Sequence, residues 1–329
     1  MRNTASDCLV PRRTGMMGER CCPVTTSDGP TLDVHIAGAH DDVDLTVVFM
    51  HGYCLNMRSW RPMLAVCKTA WPSRTRIVTY DQRGHGSSEE ADPHSYTLDR
   101  IADDLHEVLA AVAPTGPVML VGHSMGGMGL LAYAQRHRRE LDERVAAAAL
   151  LSTAPSGLTT AGFASGANRP FLAACGAALA LMPNQTEKLL PTVTTTLRPA
   201  IRWITYGRRP VPRRETNVSA RMLGDTPFAT IAGFFAALRE HDQAKGLTAL
   251  GHIPTLIACG DKDLATPWKT AQKMAASLPD ARLLLAPGAG HMAHVEQPRR
   301  IADSVLQLAH KAATARPIPV SASAAATAV

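Results

Sequence analysis

The stretch from Pro117 to Gly129, PVMLVGHSMGGMG, constrains this chain more than any other. A short apolar run, Val118 to Val121, breaks at Gly122, and helix-like residues resume after Ser124 as Met-Gly-Gly-Met-Gly-Leu-Leu-Ala-Tyr-Ala. The pattern is G-x-S-x-G, with Gly122 and Gly126 around Ser124. It describes a sharp strand-to-helix turn that pushes the serine hydroxyl out at the edge of a sheet. The glycines lack the side chains that would collide where the chain doubles back. A hydroxyl is a weak nucleophile until a neighbouring base takes its proton, so the turn implies chemistry only beside a His and a carboxylate. Alone, it also fits a helix that happens to start with serine.

The rest of the chain supplies the sheet such a turn needs. Leu45 to Met50, Ile77 to Tyr80, Val145 to Leu151, Thr255 to Cys259 and Arg282 to Leu285 are continuous apolar runs like Val118 to Val121, as expected of parallel strands covered on both faces. Thr31 to Ile36 alternates in polarity instead, which suits an antiparallel edge strand with one wet face. Between these runs lie amphipathic segments. Leu98, Ile101, Leu105, Val108 and Val112 make one helical stripe within Tyr96 to Val112. Thr266 reads as an N-cap before Pro267, and Pro298 opens a last helix with Ile301, Val305 and Leu308 on one face. The alternation predicts a three-layer α/β fold with a mostly parallel central sheet.

Four segments follow from this pattern. Residues 1–26 are expected to be disordered, 27–154 and 252–311 to form the α/β core, and the Ala/Ser/Pro-rich residues 312–329 to be a disordered tail. Residues 155–251 carry no strand-like run and are punctuated by seven prolines from Pro170 to Pro227, so they predict a helical lid inserted over the sheet's edge.

Charge and cysteine usage narrow the function classes. The net charge of +6 is scattered over short pairs such as Arg12-Arg13 and Arg208-Arg209, without an aromatic-interleaved stripe, so no nucleic-acid partner is expected. Seven cysteines in no regular framework read as reduced thiols in a cytoplasmic protein. The first twenty residues contain no apolar core of signal-peptide length, and Met1, Met16 and Met17 are all candidate starts. The longest apolar run, Phe171 to Met182, has twelve residues, too few to span a bilayer; with the nearby Arg208 to Arg214 cluster it suggests peripheral contact with an anionic membrane. No metal or cofactor is expected, since none of the thirteen His pairs with a second ligand at zinc-site spacing, and His35, His40, His137 and His241 read as surface residues.

Partners for Ser124 are sought at the carboxyl ends of the other strands, where reactive groups of parallel α/β sheets gather. After Thr255 to Cys259 come Asp261 and Asp263; Asp263 lies further into the loop and can turn toward the site, which leaves Asp261 as a turn-former. After Arg282 to Leu285 come His291 and His294; His291 follows Gly290 on a flexible loop with room to reach Ser124, while His294 lies nearer the final helix. The loop after Val145 to Leu151, Ser152-Thr153-Ala154-Pro155, offers no carboxylate. Backbone donors for an oxyanion are expected at Met125, the residue after the serine, and at Tyr53, after the bend at Gly52.

These motifs, with Tyr80-Asp-Gln-Arg-Gly-His-Gly-Ser-Ser88 between them, occur in an order that resembles the α/β-hydrolase superfamily, in its serine-hydrolase, esterase/lipase-like branch. The resemblance spans about 250 residues and implies a cofactor-free Ser124–His291–Asp263 triad that cleaves a small-molecule or lipid-like ester. It makes Asp81 and Arg83 structural braces. Serine at the elbow argues against the epoxide hydrolases and dehalogenases, which carry Asp there. Haloperoxidase or perhydrolase types, carbon–carbon bond hydrolases and a ligand-binding receptor on the same scaffold remain as alternatives. Oligomeric state is left open.

Overall fold

A computed structural model describes residues 19–67, 69–157, 202, 205–208 and 210–314. Its strands are β1 Arg20–Cys21, β2 Val24–Thr25, β3 Thr31–Leu32, β4 Val34–Gly38, β5 Leu45–Met50, β6 Thr75–Tyr80, β7 Val118–His123, β8 Val145–Leu151, β9 Thr255–Gly260 and β10 Ala281–Ala286. Eight of them form one sheet in the order β1-β4-β6-β5-β7-β8-β9-β10, and β2 pairs with β3 in a separate ribbon. Every pairing from β6 through β5 to β10 is parallel, and only β4, antiparallel to both β1 and β6, runs against the sheet.

The continuous apolar runs are explained by cover on two faces. Along β5, Val48 and Met50 enter one core cluster, while Leu45, Val47 and Phe49 enter another. The first cluster is closed by helices α2 Leu98–Val112 and α3 Met125–Arg136, the second by α1 Arg61–Val66 and the last helix, Pro298–Thr314. A strand between two helical layers has no wet side, so nothing in it alternates. Following α3 in the chain are α4 Arg138–Arg144, α5 Arg213–Asp225, α6 Phe228–Glu240, α7 Ala244–Ala249, α8 Trp268–Ala276, α9 Ala293–Glu296 and α10 Pro298–Thr314.

Several expectations need correction. Order begins before residue 27, because Arg20 and Cys21 pair with Ile36 and His35 and so take the sheet edge expected of Thr31 to Ile36. At the other end, α10 continues to Thr314 because Ala312 is still buried against the sheet. The β10 strand is the opposite edge, with Leu283 exposed, so its apolar run does not signal cover on both faces. Cys22 is disulfide-bonded, which overturns the reading of uniformly reduced thiols. His241 is buried beneath the carbonyls of Leu238 and Ala154 and does not lie on the surface. Thr266 does not cap α8, since its hydroxyl is committed to Asp263. Phe171 to Met182 lies outside the described residues. Among those that are described, no helix is long and apolar enough to cross a membrane.

One ion pair braces the loop between β6 and α2. The Arg83 side chain is fully buried and donates to both oxygens of buried Asp104 at 2.7 Å, and to Asp28 at 2.9 and 3.0 Å. Burial works against the guanidinium, but the two carboxylates outweigh it and raise its pKa. Removing one partner from a buried pair leaves an uncompensated charge, so Asp104→Ala is expected to cost about 3–5 kcal/mol in denaturant unfolding. A loss under about 1 kcal/mol would show that Asp28 alone suffices.

Candidate active site

Ser124 stands between β7 and α3 with φ +52° and ψ −118°, a conformation few non-glycine residues adopt. Close packing on three sides holds it there. A Cβ on Gly122 would lie 2.6 Å from the Gly126 carbonyl oxygen and the Gly127 Cα, and one on Gly126 would lie 2.3 Å from the Met50 carbonyl oxygen. The serine's own backbone is tied down as well. Its N–H donates to Leu151 O at 3.0 Å, and its carbonyl accepts from Thr153 Oγ1 at 2.8 Å and Met128 N at 3.0 Å.

The residues expected as its partners converge on it. His291 Nε2 lies 2.9 Å from Ser124 Oγ, and His291 Nδ1 lies 3.0 Å from each oxygen of Asp263. Asp263 is buried, and its Oδ1 accepts from the backbone N–H groups of Ala265 and Thr266 at 2.9 and 2.8 Å; its Oδ2 accepts from Thr266 Oγ1 at 2.8 Å. Burial pushes this carboxyl up, but His291 and the Thr266 donors pull harder, and the net shift is downward. The carboxylate is thus ionised and aimed at the imidazole.

Asp261 turns the other way. It pairs with Lys262 at 2.9 Å and accepts from the Gly288 N–H, so it braces the loop that carries His291. Glu296 does the same from α9, accepting from Gly290 N at 2.7 Å and Gly207 N at 3.0 Å. Sequence reading missed Glu296 and Thr266 as supports: Glu296 meets the backbone N–H groups of Gly207 and Gly290 only in the fold, and Thr266 gives its hydroxyl to the Asp263 carboxylate instead of to α8.

Of the two expected backbone donors, Met125 follows the serine directly and Tyr53 lines the same cavity. Met125 is the first residue of α3, so its N–H has no acceptor within the helix. The Tyr53 N–H makes no hydrogen bond to another described residue. Gly52 serves close approach more than bending, because a Cβ there would meet His123 Nδ1 at 2.8 Å and Ser124 Cβ at 3.2 Å. The Tyr53 hydroxyl donates to Ile231 O at 2.6 Å, tying this loop to α6. A cavity of about 680 Å³ opens over the serine; its walls include Leu55, Tyr206, Val211, Leu223 and Met292 among the described residues. Phe228 and Phe234 are buried, and Phe234 packs on Tyr96 with ring centroids 5.0 Å apart. Phe163, Phe171, Leu172, Leu179, Leu181, Met182 and Trp203 lie outside the described residues.

Neutral histidines pack behind the site. His123 donates Nε2–H to the His291 carbonyl at 3.0 Å and packs at a tilt against His294, ring centroids 4.3 Å apart, whose ring lies 4.8 Å from Trp60. His294 therefore belongs to the core and does not reach Ser124. His51 donates Nδ1–H to Gly52 O at 2.8 Å and accepts from Gln82 N at 2.9 Å, and His85 accepts from Cys54 N at 3.2 Å. Asp81 and Arg83 act as braces, as expected: Asp81 accepts from Met57 N at 2.7 Å and Ser87 N at 2.8 Å.

With this geometry in view, comparison with known proteins is direct. A sequence model of the α/β hydrolase fold matches residues 46–298. The chain belongs to the α/β-hydrolase family. It is 30% identical over 234 residues to a protein of Variovorax paradoxus named "Putative carbamate hydrolase RutD", covering 70% of this chain and 79% of that one. Over 109 residues, 33% of this chain and 37% of the relative, it is 38% identical to the non-heme chloroperoxidase CPO-A1 of Kitasatospora aureofaciens. The fold is similar to that of an esterase from Exiguobacterium antarcticum, with a TM-score of 0.71 at 20% identity, covering 88% of this chain and 98% of the esterase.

The buried histidines carry a pH signature. Burial drives His85 down from 6.5 to about 4, and His51 and His294 to about 3. Unfolded, each takes a proton near pH 6.5; folded, each refuses it until those lower values. Unfolding therefore takes up protons below pH 6.5, and stability falls as the pH drops toward 4. The urea midpoint is expected to decline steadily across that window, and a flat midpoint would show that these rings are not buried neutral.

Proposed function

We propose that this protein is a serine hydrolase that cleaves a carboxylic ester through an acyl-enzyme. The supporting observation is the unbroken relay from Ser124 Oγ through His291 to Asp263, with 2.9 and 3.0 Å contacts. His291 Nε2 takes the hydroxyl proton as Ser124 Oγ attacks the ester carbonyl, and Asp263 stabilises the imidazolium that forms. The carbonyl oxygen becomes an oxyanion facing the N–H groups of Tyr53 and Met125. Collapse breaks the bond to the alcohol, which leaves with the proton held by His291. Water then attacks the acyl carbon, gives its proton to His291 and releases the acid, restoring Ser124. In this reading the substrate is a small ester or lipid-like molecule, and no metal or cofactor takes part.

The leucine, valine and methionine walls of the cavity suit an apolar acyl or alcohol group. A second reading, acyl transfer to peroxide in place of water, is favoured by the similarity to a protein named as a non-heme chloroperoxidase. It uses the same acyl-enzyme and differs only in what attacks it.

p-Nitrophenyl esters from acetyl to palmitoyl, run beside Ser124→Ala, test the main reading. Turnover should peak at one chain length and fall at least about a thousandfold in the variant, and Asp263→Asn should lower kcat by roughly 10³–10⁴. Turnover that survives Ser124→Ala, or a folded protein that a serine-directed fluorophosphonate fails to label, would end it.

A further inference from the structure

A second constellation of reactive side chains lies far from Ser124, where α2 meets the junction of α3 and α4. Asp103 and His106 sit three residues apart on α2, and His137 and Glu140 three apart across the junction. That spacing turns each pair onto one face of its segment. The faces meet. His106 Nδ1 lies 2.6 Å from Glu140 Oε2, His137 Nε2 lies 2.9 Å from Asp103 Oδ1, and the two imidazole rings stack at 4.5 Å with their planes 12° apart. One ligand atom from each of His106, His137 and Glu140 falls within 4.8 Å of the other two.

We propose that His106, His137 and Glu140 form a binding site for a divalent transition-metal ion of the Zn²⁺ or Ni²⁺ type. Two imidazoles and one carboxylate are the donors such ions take, whereas Ca²⁺ and Mg²⁺ prefer oxygen alone. Bonds of about 2.0–2.2 Å to one ion hold two donors no more than about 4.4 Å apart, so the ion draws the three atoms slightly together and turns the half-exposed His106 ring out of its stack on His137. The side chains are 44%, 20% and 17% exposed, so an ion can enter from solvent. Supporting contacts are already in place. Arg144 Nη1 donates to Glu140 Oε1 at 2.7 Å, which fixes the carboxylate with Oε2 toward His106. Asp103 accepts from His137 Nε2, the contact that orients a ligating imidazole. The Tyr133 ring stacks on His137 at 5.2 Å, and burial together with the adjacent Glu140 carboxylate holds its hydroxyl protonated. This hydroxyl offers a further donor to the coordinated carboxylate.

The sequence does not reveal this set, because its second imidazole, His106, lies 31 residues before His137 and meets it only when α2 packs on α3. An ion here would join α2 to the far end of the helix that begins at Met125, about 18 Å from Ser124 by helical rise. Its effect is therefore on the stability of that layer and not on the chemistry.

The test uses the full chain, stripped with EDTA and dialysed, then titrated with NiCl₂ and ZnCl₂ by calorimetry and followed by thermal melting. One equivalent should bind and raise Tm. His106→Ala and His137→Ala should each weaken affinity about tenfold or more and abolish the rise. Glu140→Gln, which keeps the side-chain shape, should weaken binding likewise if an alanine variant proves misfolded by circular dichroism. His35→Ala alters the separate Cys21, Asp33 and His35 cluster and should change nothing. Absence of binding, affinity unchanged in His106→Ala and Glu140→Gln, or affinity lost in His35→Ala would overturn the proposal.

Discussion

The close approach of β7, α3 and the end of β5 around Ser124 is the constraint on which the rest of the structure depends. A serine at φ +52° costs on the order of 1–3 kcal/mol, and it persists only where the surroundings leave no alternative. Here the alternatives are closed by backbone within van der Waals contact of Gly122 and Gly126. The parallel sheet makes this possible, because burial between two helical layers fixes the end of β5 and the start of α3 relative to each other. Substituting either glycine would not only strain the turn but also part the strand from the helix that follows it.

Around that fixed point, charge is arranged in two opposite ways. Asp263 stays ionised in the interior because three donors and His291 surround it, despite a burial that opposes its charge. His51, His85, His123 and His294 are buried with few or no charge partners, so they remain neutral at ordinary pH. The result is one hydrogen-bonded chain from Ser124 through His291 to Asp263, framed by imidazoles held neutral. His123 shows the economy of the arrangement: its one hydrogen bond goes to the backbone of His291 and so steadies that loop from behind.

Supports for the relay come from residues whose types carry no signal. Thr266 looks like an N-cap because threonine before proline commonly is one. In the fold its hydroxyl and N–H both donate to the Asp263 carboxylate, and α8 starts without a side-chain cap. Glu296 looks like a polar helix residue, yet its carboxylate holds the two loops on which Gly207 and Gly290 lie. Both effects depend on pairs separated in sequence or on competition between acceptors, and neither leaves a periodicity to read.

Sequence alone determined the layer order, the elbow, and the strand ends from which Asp263 and His291 come, since period, glycine placement and apolar runs are local properties of a chain. It also separated Asp263 from Asp261 and His291 from His294, by reach from the strand end. Tertiary structure alone decided which strands are edges, where order begins and ends, and how His123, Thr266 and Glu296 serve the site. It likewise brought His106 and His137 face to face. The reason is physical: burial, hydrogen-bond partners and charge neighbours are properties of pairs, and those pairs exist only once distant segments pack.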